Sequence, residues 1–394
     1  MKKVSMMLLA GVFAATASAN LNGDGYYRVQ NSKTERYIYV LDNKGKLNMQ
    51  ATTADLGALE LWKNYDKTIS DPATVVYVQD LTGKSQDFDL LAQGTGVYSI
   101  ITHAVSIRLD QKYFPNSYTI FGRDSGVTRY IGDATRSDAD RGYVAQLDNN
   151  EYYRWYFHPV TTDDSNYFGI SADLTDGTTN YAAFYADFPF SFHSDGMKAY
   201  KVYCVQDGKA YIEEIEGVVP RSTPVIITAS SPSASDNRLT LGGTPDATVD
   251  DNLLQGVYFE NYSKTHNNLT PYDAATMRVL GTLSDGSVGF KVAELENVPR
   301  NQAYLVVPEG TPDELPLSTD EPAGIADVSM SPAMVSVQGL SLYVSGVKTA
   351  DVYSVAGVHV GHIADAQNGK TVTLPGAGVY VVKAGDTVRK VFAK

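Results

Sequence analysis

Tyr203-Cys204-Val205-Gln206-Asp207-Gly208-Lys209-Ala210-Tyr211-Ile212, followed by Val219-Pro220-Arg221 and Val225-Ile226-Ile227, returns later in the chain. The second copy reads Leu280-Gly281-Thr282-Leu283-Ser284-Asp285-Gly286-Ser287-Val288-Gly289-Phe290, then Val298-Pro299-Arg300 and Leu305-Val306-Val307, with landmarks repeating after 78, 79 and 80 residues. Each copy reads as strand, Asp-Gly hairpin, strand, Val-Pro-Arg turn, strand. Asp-Gly suits a type I′ turn, whose two central residues take positive φ, and a residue before Pro is pushed to extended backbone. The repeat therefore predicts sheet.

Toward the N-terminus a second internal repeat appears. Tyr27-Arg28-Val29 and Arg36-Tyr37-Ile38 recur as Tyr118-Thr119-Ile120 and Arg129-Tyr130-Ile131, and Trp62 and Trp155 fall at matching offsets. By that position both tryptophans are expected in the core. Between the copies, Thr74 to Val78 and Asp89 to Tyr98 read as a diverged middle unit with a turn at Thr82-Gly83-Lys84. Three units of short strands and Gly or Asp turns are the layout of a trefoil. On these residues the N-terminal part resembles the ricin-B-like β-trefoil, although the Gln of that family's Q-x-W signature is Glu60 in one copy and Tyr153 in the other. A generic β-barrel or sandwich is the alternative.

The tandem copies, with Asn252-Leu253-Leu254-Gln255-Gly256 between them, resemble a tandem β module of secreted Bacteroidetes proteins. No catalytic activity attaches to that pattern. Pro308-Glu309-Gly310-Thr311-Pro312-Asp313-Glu314-Leu315-Pro316 is rich in Pro and acid, which predicts an extended linker. Beyond it, six short strands predict a small sandwich. Val352-Tyr353-Ser354-Val355-Ala356-Gly357, Gly378-Val379-Tyr380-Val381-Val382-Lys383 and the terminal Lys390 to Lys394 resemble the C-terminal sorting domain of the type IX secretion system. The resemblance implies sorting roles for Gly357, Gly378, Tyr380, Lys383 and Lys394. Ser331-Pro332-Ala333-Met334 stands where that family opens with a Y-P-N-P type motif, and an ordinary sandwich is the alternative.

The expected fold class is thus all-β: signal peptide 1–19, trefoil-like N-terminal domain 20–165, tandem β-sheet middle module 166–308, linker 309–327 and C-terminal β-sandwich 328–394. Lys2 and Lys3, an apolar stretch from Val4 to Phe13 and Ala17-Ser18-Ala19 predict cleavage between Ala19 and Asn20. No apolar stretch approaches the ~20 residues of a membrane-spanning helix, so no transmembrane segment is expected. The only cysteine, Cys204, is expected as a buried thiol, which leaves neither a disulfide nor a lipid anchor at the cleavage point. Export to the extracellular space or outer cell surface follows, with the periplasm as the destination if the sorting domain does not function.

A formal charge of −13, from 32 basic and 45 acidic residues without a basic cluster, excludes nucleic acid as a partner. No catalytic constellation survives inspection. Arg123-Asp124-Ser125-Gly126 with His103 and Asp110 is too compressed for a serine-protease triad. Asp138-Ala139-Asp140-Arg141-Gly142 lacks the position-5 ligand and the distal Glu of an EF-hand calcium loop. Glu213, Glu214 and Glu216 alternate across a strand. His359 and His362, three apart on a strand, are expected on opposite faces, so no metal and no cofactor is assigned. The expected function is recognition of carbohydrate or another extracellular polymer. Alternatives are a structural or host-interaction adhesin and a secreted hydrolase. Strand-end loops nominate Tyr39 with Asp42 and Asp133 with Tyr143 as ligand-binding pairs, each an aromatic face beside a carboxylate. Glycan and the outer-membrane secretion machinery are the expected partners.

Overall fold

The computed structural model describes residues 21, 24–41, 47, 60–62, 68–96, 98–110, 114–124, 126–133, 142–145, 150–162, 166–245, 248–260, 262–263, 266–320, 322, 334–354, 357–364, 366, 369–384 and 387–393. Ala19, Asn20, Asp42, Ser125, the Asp138 loop and Lys394 lie outside them. The described chain is all-β, with two 3-10 turns at Pro72–Thr74 and Glu151–Tyr153. It divides into two compact units, 1–320 and 321–394.

The first unit opens with eleven strands in one sheet. They are β1 (Gly25–Asn31), β2 (Tyr37–Tyr39), β3 (Glu60–Trp62), β4 (Val76–Asp80), β5 (Phe88–Ala92) and β6 (Tyr98–Ser99). β7 (Ser106–Asp110), β8 (Ser117–Asp124), β9 (Val127–Asp133), β10 (Gly142–Ala145) and β11 (Trp155–Pro159) complete them. β1 pairs with β4, β4 with β5, β7 with β8, β8 with β11, and β11 returns to β1. A reciprocal bridge, Phe88 to Val105, joins β5 to the entry of β7, so the six strands close a ring. Closure removes the unpaired edges that an open sheet would expose. β2–β3 and β9–β10 are hairpins hung from the ring, and β6 pairs with β5. Val29, Phe88, Leu90, Ile107, Ile120 and Trp155 fill the ring.

Trp155 is fully buried and donates its indole N–H to the Ile131 carbonyl at 2.9 Å. Its offset match to Trp62 does not hold in three dimensions. Trp155 opens ring strand β11, whereas Trp62 ends β3 in a hairpin. The longer chain between β2 and β4 in the first copy shifts equivalent strands away from equal spacing.

β1 is buried on both faces. Val29 points into the ring, and Arg28, fully buried, donates to the Thr68 carbonyl at 3.0 Å, to Asn166 Oδ1 at 2.8 Å and to the Tyr167 carbonyl at 2.9 Å. These bonds fasten the ring lobe to the tandem module, whose core also takes in Val75 and Tyr26.

The module is built on a ten-stranded sheet, beside a three-stranded one of Phe168–Gly169, Arg238–Leu241 and Phe190–Phe192. In spatial order one half runs Leu174–Thr175, Asn180–Phe184, Val225–Ala229, Lys198–Gln206, Lys209–Ile215. The other runs Val288–Lys291, Met277–Thr282, Ala303–Val306, Leu254–Gly256. Between them sits Glu314–Ser318, parallel to Lys209–Ile215 and antiparallel to Val288–Lys291. The repeat copies are therefore mirror-ordered halves around a shared strand. Asp207 and Gly208 both take positive φ, as a type I′ turn requires. The second hairpin differs: only Gly286 does so, and Leu283 N–H bonds the Ser287 carbonyl at 2.8 Å across a longer loop.

The segment expected as linker thus contains the strand that joins the two halves. Leu315 is fully buried, and Gly289 lies so close beneath that a Cβ there would meet the Leu315 carbonyl oxygen at 2.5 Å. Buried Arg278 holds the approach, donating to the carbonyls of Pro312 at 3.1 Å and Thr311 at 2.8 Å. Composition misleads here because Pro and acid usually mark solvated chain, whereas these carbonyls are paid by a buried guanidinium. Cys204 is half-buried beside a bulge; burial and then Asp207 push its thiol up, which makes it a poor nucleophile.

The second unit carries a three-stranded sheet (Met334–Gln338, Ser341–Ser345, Lys370–Thr373). Its four-stranded sheet runs His359–Ala364, Thr349–Ser354, Gly378–Ala384, Thr387–Ala393. Leu342, Val344, Val352, Ile363 and Val382 pack in one core.

Leu315→Ala should cost about 2 to 5 kcal/mol, as in other cores, and Trp155→Ala about 3 to 5 kcal/mol, both read by urea denaturation. A linker residue at 315 would give no measurable change.

Candidate functional site

Of the nominated residues, the side chains of Asp133 and Tyr39 are described, and each is engaged by an arginine. Asp133 is fully buried at the end of β9, where Arg36 Nε donates to its Oδ2 at 3.0 Å. Arg36 Nη2 and the Thr34 hydroxyl also bond this carboxylate. Asp133 is a structural counter-ion, because it is buried and both its oxygens meet protein donors. Tyr143 lies on β10 opposite Gly132, and nothing further of its side chain is described. Asp42 lies outside the described residues.

Tyr39 reaches a different place. The Arg300 guanidinium sits over its ring at 5.2 Å and bonds its hydroxyl. Arg300 also pairs with both oxygens of Asp71 at 2.7 Å and with Glu260 Oε1 at 3.1 Å. Burial and then Asp71 hold the Tyr39 hydroxyl above its ordinary range. Arg300 comes from the second Val-Pro-Arg turn. Its counterpart Arg221 also turns to the lobe, donating to Thr95 Oγ1 at 2.8 Å and lying where a Cβ on Gly96 would fall 2.4 Å from its Nη1. The residue after each arginine, Ser222 or Asn301, takes positive φ, which swings both turns onto the lobe. Buried Asp187 completes the contact, accepting from Gly96 N–H and Ser222 Oγ at 2.7 Å. A cleft of about 380 Å³ opens beside Arg300, but the arginine and Asp71 that form its floor are spent on each other.

A second cleft, of about 500 Å³, lies on the lobe itself. The Phe88–Val105 bridge brings the segment before β5 beside the start of β7, so Gln86 and Asp87 face Ser106 and Arg108. Strand alternation buries Ile107 and turns Ser106 and Arg108 outward. Phe121, opposite Ser106 on β8, forms the apolar wall, and the Arg108 guanidinium lies over its ring at 5.0 Å. The side chains of Gln86, Asp87, Ser106 and Arg108 make no hydrogen bond or ion pair among the described residues. One cleft thus presents an amide, a carboxylate, a hydroxyl and a guanidinium around an aromatic ring, all available to a ligand.

Elsewhere the chemistry is spent internally. Asp110 pairs with Arg154 Nε at 2.7 Å, and Glu213 and Glu214 pair with Lys201 and Lys198 at 3.0 and 2.7 Å. His359 and His362 share a face after all. A bulge between Val352 and Tyr353 shifts the register, and His362 Nδ1 and His359 Nε2 both meet Asp351 Oδ1, at 2.7 and 3.1 Å. Hydrogen bonds from His362 and then His359 hold the Asp351 carboxyl below its usual range. Among the described residues no group of three His, Cys, Asp or Glu is placed to hold a metal ion. Of the sorting-type residues, Gly357 has positive φ in a tight turn, and Gly378 opens its strand. The buried Tyr380 hydroxyl donates to the Gly376 carbonyl at 2.9 Å, and exposed Lys383 sits across from Asp351.

No family model and no curated protein matches the chain. Among solved structures it is similar to a mosquitocidal holotoxin, at 7% identity and a TM-score of 0.27 over 75% of this chain. This chain spans about half of that toxin, 51% of its length. No helix among the described residues is long and apolar enough to cross a membrane.

Asp133→Ala should destabilise the first unit by about 3 to 5 kcal/mol, because it leaves Arg36 without its buried counter-ion; thermal melts at neutral pH read this. The depressed Asp351 carboxyl contributes stability above its unfolded pKa of roughly 3.9, lost as pH falls through the lower folded value. Asp351→Asn should therefore flatten the acid limb of the second unit's melting profile, and an unaltered limb would show the histidine contacts contribute nothing.

Proposed function

We propose that this is an exported binding protein whose ring lobe recognises carbohydrate through the cleft of Gln86, Asp87, Ser106, Arg108 and Phe121. The observation that carries the reading is a set of polar side chains grouped around one ring that make no hydrogen bond or ion pair among the described residues. Sugars present vicinal hydroxyls that need both donors and acceptors, and an aromatic face for their C–H side. The volume is within the range of small-ligand sites. A six-strand ring with hairpins hung from it also fits the trefoil-like resemblance of this lobe.

Binding is favoured over turnover. Glycoside hydrolysis calls for two carboxyl groups across the bond, and Asp87 is the one carboxylate among the described lining residues. The leader at 1–19 supports export, and the sorting-like second unit supports passage to the cell surface. Deleting 328–394 should then hold the protein in the periplasm; a normal level in the medium would remove the sorting role.

Affinity electrophoresis through gels containing neutral and acidic polysaccharides tests the cleft. Wild-type protein should be retarded by at least one polymer, and Asp87→Ala with Gln86→Ala should weaken that retardation about tenfold, the worth of roughly 1.4 kcal/mol. Undiminished retardation in the double variant would move recognition away from this cleft.

A further inference from the structure

Resting on the cleft reading above, we infer that the ligand is a glycan residue carrying a carboxylate, bound through Arg108. The guanidinium carbon lies over the Phe121 ring at 5.0 Å, a cation–π contact that leaves its N–H groups free to donate to a ligand. Among the described residues those N–H groups make no hydrogen bond or ion pair, although the cleft also contains Asp87. A guanidinium edge matches a carboxylate with two parallel N–H bonds, the strongest pairing it can make with a sugar substituent. The ring contact fixes the arginine before the ligand arrives, which lowers the ordering cost of that pairing.

Asp87 orients the ligand. It accepts from hydroxyls and repels a second anion, so the ligand carboxylate is directed to the Arg108 end and the hydroxyl-bearing edge to the Asp87 end. The charge of −13 also limits the density of acid on the ligand. A polymer charged at every residue would be repelled by the protein's field. An isolated acidic residue in a largely neutral glycan fits both the cleft and the field.

Isothermal titration of the full chain with free glucuronate, glucose and glucose 6-sulfate tests the assignment. Glucuronate should bind about tenfold more tightly than glucose, with an advantage that shrinks as salt is raised. Arg108→Gln, folded by its melting curve, should reduce glucuronate affinity to that of glucose. Equal affinity of the wild type for glucuronate and glucose would overturn the carboxylate assignment and leave the cleft as a neutral-sugar site. Tighter binding of the sulfate ester than of glucuronate would also overturn it. Binding of none of the three, by a protein that polysaccharide gels still retard, would overturn the assignment; no retardation by any gel would overturn the cleft reading itself.

Discussion

The first unit depends on one strand, Glu314–Ser318. It lies at the centre of the module sheet, parallel to the hairpin of one repeat copy and antiparallel to that of the other. Without it the two copies would be separate half-sheets, each with an unpaired edge. The strand comes last in the unit's chain order, so the sheet is completed only when the segment from Pro308 folds back. Arg278 fixes that return by gathering the carbonyls of Thr311 and Pro312.

Because the halves are mirror-ordered, their Val-Pro-Arg turns reach the ring lobe as a pair. Arg300 clamps Asp71, and Arg221 packs on Gly96 and Thr95. With buried Arg28 and Asp187, these contacts make lobe and module one compact unit with no boundary near residue 165. Buried polar contacts of this sort specify orientation more than they add stability. Their consequence for function is that the lobe, with its 500 Å³ cleft, is carried on a fixed platform.

Much of the architecture was legible in the sequence. The tandem Asp-Gly and Val-Pro-Arg repeats marked the module, and alternation marked the strands. Three features were not. Leu315 hides in a Pro- and acid-rich stretch whose burial depends on distant Arg278. Trp62 and Trp155 match by spacing but not by strand, since unequal insertions shift the copies. His359 and His362 share a face only through a bulge, which no spacing rule anticipates. The cleft was equally hidden. Ser106 and Arg108 share a face by simple alternation, but their approach to Gln86 and Asp87 rests on the Phe88–Val105 bridge, a tertiary contact. Conversely, Asp133 looked like a loop carboxylate because its partner Arg36 is distant in sequence.

The residues nominated from strand ends and those found in the cleft differ in one physical respect: whether the polar groups already have protein partners. Asp133, Asp71 and Arg300 are tied to protein by hydrogen bonds and ion pairs, whereas Arg108, Asp87, Gln86 and Ser106 make none among the described residues. That difference is the central claim, and hydrogen-exchange mass spectrometry of the full chain with acidic oligosaccharides tests it most directly. Slowed exchange should be confined to 85–87, 104–108 and 121–122; slowing at 170–173 and 299–302 instead, or at neither, would contradict it.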